Sequence, residues 1–428
     1  MKYIKRENVL RLKMADFITK ITSFESDNTP PLFYFSCCID SPTQPISTIF
    51  YPNKKDQRSS LNSSSLRLRA ENVKPENWTD LKYNQPMDLI CYFGKDMFLT
   101  PGGYKQPQYL PSTTKINGRR IGLFSGGAGV FLKDGSIIEP TFSTQDSHLS
   151  LSSDYFYEKD GEIFKRDVVT LHEDTVEGLC YFLGNLLPHW GHFLLDGISR
   201  LWFLLRLPNE LREKLKFICY DNHIPTWGWE LLNAFGINER NLIFMKKGML
   251  VKNLIMPLES YRTHISASSE FQCVFDTIRD FYCNRLDVKP TRKVYLSRRN
   301  QLARRLSNES CIESLLSSEG YEIIIPESLS VAEQVQLAAS SKILIGTTGS
   351  GLYLAAFQKR GSSTIVIHPN DFLLFDDFIL SAIGHRNAFF ISGGDQVTNG
   401  SSKKARRESS WELMVDNHLK EFISEISS

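Results

Sequence analysis

Residues 342–369 read KILIGTTGSGLYLAAFQKRGSSTIVIHP: an apolar run rich in isoleucine, a glycine-rich turn, an apolar segment of helical length and a second β-branched run. That order predicts strand, turn, helix and strand, the unit from which parallel sheets are built, because two parallel strands need a crossover connection between them. Upstream, KVYLSRR (293–299) and YEIII (321–325) extend the series. Ser330 and Glu333 fit a capping box that opens the helix VAEQVQLAA, and Gly320 is placed to end the helix before it. An earlier series has VEGLCYFL (176–183), KFICY (216–220), LIFM (242–245) and LIMPL (254–258) as strands, with residues 188–206 and 226–235 as helices. Two such series predict an α/β protein with two Rossmann-like halves, and residues 268–285 supply the helix between them.

Residues 1–165 differ in texture. They are rich in Pro, Ser, Asn and aromatics, with short extended runs such as PLFYFSCCI (31–39) and DLICYFG (88–94), and Asp134-Gly135 suits a tight hairpin turn. The predicted organisation is a β-rich N-terminal accessory region (1–165), a first Rossmann-like domain (166–285), a second (286–395), and a flexible loop with a C-terminal amphipathic helix (396–428). In that last helix Trp411, Met414, Val415, Leu419, Phe422 and Ile423 share a stripe. Docking on one of the domains is the expectation for it.

A chain of 428 residues exceeds what one core organises, and 41% hydrophobic with 23% charged residues describes an ordinary globular protein. Lys plus Arg is 50 against 48 for Asp plus Glu, a net charge of +2, so no global field marks a nucleic-acid binder. The eight cysteines form no C-x-x-C pair, which argues against a structural zinc site or a disulfide framework. The N-terminal stretch interrupts its apolar residues with charges, and no transmembrane span stands out. A cytoplasmic location is expected, with peripheral association at the inner face of a membrane compatible with it.

Three segments carry candidate chemistry. In PHWGHFLLDGISRLWFLL (188–205) the apolar residues cover most of a helical cylinder, leaving His189, His192, Asp196 and Ser199 on one narrow stripe. Three readings compete: a satisfied buried polar network, metal ligation by His189, His192 and Asp196 with no nameable fourth ligand, and acid/base work by a histidine oriented by a carboxylate. TRKVYLSRRNQLARRL (291–306) holds Arg292, Lys293, Arg298, Arg299, Arg304 and Arg305 with no acidic residue, and such guanidinium groups at a strand end suit a phosphate or merely a solvated loop. Gly346, Gly349 and Gly351, followed by a helix, offer backbone N–H groups to an anion. No two aspartates are separated by a single residue, so the D-x-D pattern that holds a metal-bound diphosphate is missing.

In this order the segments resemble glycosyltransferase family 61, which includes bacterial capsule-type enzymes. GHFLLDGISRLW is similar to the family's G-H-W-L-L-D-x-L-P-R-L segment, YLSRRNQLARRLSNE to its Y-I-S-R-R and R-R-L-x-N-E segments, and GTTGSGL to its G-x-H-G-A-G-L loop. The upstream GAGVFLKDGSIIEP is similar to the strand pair before the family's core. The resemblance implies the GT-B fold, two Rossmann-like domains facing a cleft, and an inverting reaction with the nucleotide against the C-terminal half. His192 and Asp196 then fall on the family's His and Asp as catalytic residues, with His189 as an additional candidate. Arg298, Arg299, Arg305, Gly346, Thr348, Gly349, Ser350 and Gly351 fall on its donor-binding segments. Thr348 stands where the family loop has His, and His189 where bacterial members often have Asn.

The reaction so implied is metal-independent transfer of a sugar from a nucleotide-sugar to a glycan or lipid-linked glycan acceptor, in capsule, O-antigen or exopolysaccharide synthesis. No metal and no cofactor is expected. Two rivals remain open at this point: a polysaccharide pyruvyltransferase using the same basic cleft, and a non-catalytic glycan- or nucleotide-binding partner of a polysaccharide synthase complex.

Overall fold

The computed structural model describes residues 3–4, 9–24, 31–39, 48–51, 87–100, 129–131, 137–138, 156–159, 162–165, 174–220, 223–245, 249–262, 266–284, 288–370, 372–374, 376–397 and 409–427. The chain divides into two compact units, Met1–Ile39 with Pro86–Thr263, and Asp40–Gln85 with His264–Ser428. Each is a mixed α/β body around its own sheet.

The first unit is built on a ten-stranded sheet. Its strands include β1 (Leu10–Leu12), β2 (Leu32–Ile39), β3 (Met87–Thr100), β4 (Asp174–Gly184), β5 (Lys216–Cys219), β6 (Leu242–Phe244) and β7 (Met249–Pro257), with helix α2 (Thr226–Asn233) between β5 and β6. Strands β7, β4, β5 and β6 lie in that order and are all parallel. The chain therefore builds outward from β4 to β6 and then returns to the other side of β4 with β7, a change of direction between β4 and β7. β4 ends in the buried run Leu179–Leu183, apolar on both faces as a central parallel strand requires.

β2 and β3 come from the segment assigned on sequence to an accessory region, yet β3 pairs antiparallel with β7 from Met249↔Leu99 to Pro257↔Cys91, and β2 pairs antiparallel with β3. The reason is that both faces of these strands are apolar. Leu32, Tyr34, Ile90 and Tyr92 join the core of β4 and β7 on one side. On the other, Phe33 meets Phe17 of α1 (Met14–Thr22) at 5.2 Å. Asp134 and Gly135 lie outside the described residues, while the flanking strands Gly129–Phe131 and Ile137–Ile138 pair antiparallel at Phe131↔Ile137.

The second unit holds β8 (Arg292–Leu296), β9 (Glu322–Ile324), β10 (Ser341–Thr347), β11 (Ser363–His368) and β12 (Asn387–Ser392) in the order β9-β8-β10-β11-β12, all parallel, with Thr48–Tyr51 parallel at the β12 edge. The direction of building reverses between β8 and β10. In open α/β sheets such a reversal leaves a crevice at the carboxyl ends of the two strands, because their following loops part to opposite sides. Helices α3 (Ser269–Tyr282), α4 (Glu309–Ser318), α5 (Val331–Ser340), α6 (Asp376–Ile383) and α7 (Asn417–Ser427) surround this sheet. The capping box at Ser330 and Glu333 is present, and Gly320 takes φ +81° after α4. Gln272 of α3 donates to Ala356 O at 3.0 Å, so the helix expected to link the halves packs within this unit.

Two helices differ from expectation. The C-terminal one begins only at Asn417, because Asn308 grips the backbone of Leu413 at both N–H and C=O and Trp411 lies in an extended pair with Leu306. It docks on the sheet as expected, with Leu419, Phe422 and Ile423 buried and Phe422 6.2 Å from Phe389. The residues expected to form one helix over 188–206 instead make an α-turn (Trp190–His192), a π-turn (Phe193–Gly197) and short 3-10 turns (Ile198–Arg200, Leu204–Arg206). Burial on nearly every side explains the irregularity: Phe193, Leu194, Leu195, Ile198, Leu201, Trp202, Phe203 and Leu204 all find core contacts, and a single straight stripe cannot serve them.

Candidate active site

The irregular segment leaves β4 at its carboxyl end, where the first sheet reverses. Gly184 has φ +83°, and a side chain there would meet the Arg200 guanidinium at 2.6 Å. Arg200 is the anchor that sequence reasoning did not single out. Buried, it donates to Pro257 O at 2.7 Å and to Glu259 at 2.5 Å, tying the segment to the end of β7. Its signal in sequence was an arginine inside a nearly unbroken apolar run. Tyr181 of β4 donates to Arg200 O at 2.6 Å and accepts from Leu204 N at 3.0 Å, fixing the same turn from within the sheet.

The anchored segment presents its polar residues at its edge. His192 Nδ1 and Asp196 Oδ2 are 2.8 Å apart, with the side chains 39% and 24% exposed. With Nδ1–H donated to the carboxylate, the neutral imidazole carries its lone pair on Nε2. His189 is exposed, caps the α-turn through the His192 N–H, and its ring centre is 5.0 Å from that of His192. Ser199 does not share the stripe: it is buried and donates to Asp196 O at 2.7 Å. Half-buried Trp190 and Trp227 lie 5.2 Å apart between ring centres. Among the described residues no group of three or more His, Cys, Asp or Glu is placed to hold a metal ion.

In the second unit the arginine-rich loop follows β8 and the glycine turn follows β10, the two strands at the reversal. Tertiary contacts divide the arginines. Arg292 pairs with Glu322 at 2.5 Å. Arg299, half exposed, turns to Glu313 at 3.5 Å, and Arg305 lies exposed in its short strand against Ser410. Arg298 turns inward, its guanidinium donating to Thr348 O at 3.1 Å and Ala303 O at 3.2 Å and, among the described residues, forming no ion pair with a carboxylate, while its backbone N–H donates to Glu309 at 2.7 Å. Burial depresses its pKa, and the neighbouring charge of Arg304 depresses it further. A Cβ on Gly349, where φ is +143°, would lie 2.5 Å from Arg298 Nη1 and 3.9 Å from Arg304 Nη2, so two guanidinium groups converge on this glycine. Arg304 itself has φ +50° and rests on the Phe372 ring at 4.7 Å. Of the residues expected to hold the donor, Arg298, Thr348 and Gly349 come together, Gly346 lies within β10 against Leu296 and Leu352, Ser350 and Gly351 begin a 3-10 segment running to Phe357, Arg299 and Arg305 point elsewhere, and Arg304 takes part instead.

Residues 190–367 match the family model described as Glycosyltransferase 61. This stretch is similar to glycosyltransferase family 61. A comparison with curated proteins finds no match. The match supports glycosyltransferase activity, which requires a sugar donor and a glycan acceptor. It opens on the His192 and Asp196 segment and takes in the Arg298 loop and the Gly349 turn. Among the described residues no helix is long and apolar enough to cross a membrane.

His368, just past the matched residues at the end of β11, is buried and its pKa is pushed down to about 4, chiefly by that burial. Between pH 6.5 and 4 the unfolded chain binds a proton there that the folded chain does not, so stability falls as the pH drops through this window. The melting temperature of the wild type should therefore fall more steeply between pH 7 and 4.5 than that of His368→Gln. Parallel profiles would show that another group controls acid sensitivity.

Proposed function

We propose that this glycosyltransferase is an inverting, metal-independent enzyme of the GT-B class that moves a sugar from a nucleotide-sugar to a glycan or lipid-linked glycan acceptor, as in the making of a capsule or exopolysaccharide. The observation that carries the reading is the pair Arg298 and Arg304 converging on Gly349 at the reversal point of a doubly wound sheet. Two cations that share a crevice with a glycine turn suit a diphosphate, whose charge grows as the glycosidic bond breaks. The GT-B class is favoured by the topology of each unit taken by itself, since each has a parallel core with one reversal. In the first unit His192, oriented by Asp196, is suited to take the proton of an acceptor hydroxyl through Nε2.

The test is a panel of nucleotide-sugars and nucleoside diphosphates scored for thermal stabilisation, because a ligand of the native state raises stability by mass action. One nucleotide series should raise the melting temperature, and phosphoenolpyruvate should not. With two guanidinium groups to hold the diphosphate, excess EDTA should leave that stabilisation and the turnover unchanged. Activity abolished by chelation and restored by manganese or magnesium would overturn the metal-free reading.

A further inference from the structure

Thr348 has a hydrogen-bond partner at every polar atom. Its N–H donates to Ile367 O at 2.8 Å, its carbonyl accepts from Arg298 at 3.1 Å, its hydroxyl donates to Asp377 Oδ2 at 3.0 Å, and that hydroxyl also accepts from Leu374 N at 3.2 Å. Asp377 is buried in the first turn of α6 beside Asp376, which accepts from the Tyr353 hydroxyl at 2.9 Å. The first turn of α6 thus grips the glycine turn and the 3-10 segment after it at two points. Residues 372–374 are held at Leu374 by the Thr348 hydroxyl, and the Phe372 ring lies under the Arg304 guanidinium.

We propose that the Thr348 hydroxyl, held by Asp377, is the node that positions both guanidinium groups of the diphosphate site: Arg298 through the Thr348 carbonyl, and Arg304 through Leu374 and Phe372. The proposal rests on the donor-site reading above. Thr348 and Asp377 are positioning residues, since each acts through a neighbouring group. The physical reason is geometric. A guanidinium recognises a diphosphate by a planar fork, so a loop free to shift by a fraction of an ångström loses part of both contacts at once. A hydroxyl that donates to a buried carboxylate and accepts from a backbone N–H is fixed in direction as well as place, because the charged acceptor strengthens the bond.

Three variants test it: Thr348→Val, which keeps the shape and removes the hydroxyl; Thr348→Ser, which keeps the hydroxyl; and Asp377→Asn, which keeps an acceptor oxygen and removes the charge. Affinity for inorganic pyrophosphate and for the common nucleoside diphosphates is measured calorimetrically on each, beside the melting temperature. Thr348→Val should bind about tenfold more weakly, Asp377→Asn about threefold more weakly, and Thr348→Ser within about twofold of the wild type. Folded Thr348→Val with wild-type affinity overturns the proposal, as does a Thr348→Ser variant weakened as much as the valine. A merely structural hydroxyl would lower the melting temperature and leave affinity below that temperature unchanged. If the valine variant does not fold, Asp377→Asn with wild-type affinity is the overturning result. Failure of the wild type itself to bind any of these probes would instead remove the donor-site reading, which separates the two failures.

Discussion

His192→Ala is expected to lower turnover by about 100-fold or more while leaving affinity for the nucleotide close to normal. General-base loss has that magnitude. The imidazole is set for the role by Asp196, 2.8 Å from Nδ1, which fixes both the tautomer and the ring orientation. Asp196→Asn should lose about tenfold or more, since the amide can present its NH₂ to Nδ1 and favour the wrong tautomer. Stability offers a clean control. The pair is 39% and 24% exposed, so breaking it should cost less than about 1 kcal/mol, and a large loss of turnover cannot be ascribed to unfolding. Turnover, melting temperature and nucleotide affinity measured on the same two proteins decide the matter. Near-normal turnover in both folded variants would remove them from the mechanism and leave exposed His189, 5.0 Å from His192 between ring centres, as the next residue to replace.

Arg298→Ala should weaken nucleoside diphosphate binding by about 1 to 3 kcal/mol, the range for charge-assisted hydrogen bonds. Arg299→Ala, one residue away, should change it by less than about twofold. The contrast follows from where the side chains point. The Arg298 guanidinium is turned inward against Gly349 and donates to backbone carbonyls, whereas Arg299 is half exposed and already engaged with Glu313 at 3.5 Å. Equal losses in the two variants would show that the anion sits outside the Gly349 turn, on the solvent side of the loop. Unchanged affinity in Arg298→Ala would displace the diphosphate from this crevice altogether.

The order of strands in the first parallel series and in the second as far as β11, the capping box at Ser330 and Glu333, the stop at Gly320, the need for glycine at the turn after β10 and the i, i+4 spacing of His192 and Asp196 were legible in the chain, whereas α6 and β12, beyond Pro369, were not. Each legible feature depends on residues a few positions apart, and backbone preference and side-chain periodicity act over that range. What the tertiary structure alone decided depends on partners brought from farther away. Which two arginines of the basic loop face the glycine turn was settled by Glu313 and Glu322 drawing off Arg299 and Arg292, and by Phe372 supporting Arg304. That Thr348 is held by a carboxylate 29 positions later depends on β11 and α6 folding back over the turn. The smooth helix expected over 188–206 broke into π and 3-10 turns because its apolar residues had to meet a core on nearly every side, with Arg200 tethered to Glu259. Strands β2 and β3 joined the first sheet because both of their faces are apolar, and a strand with two apolar faces needs cover on both, which only the assembled unit supplies.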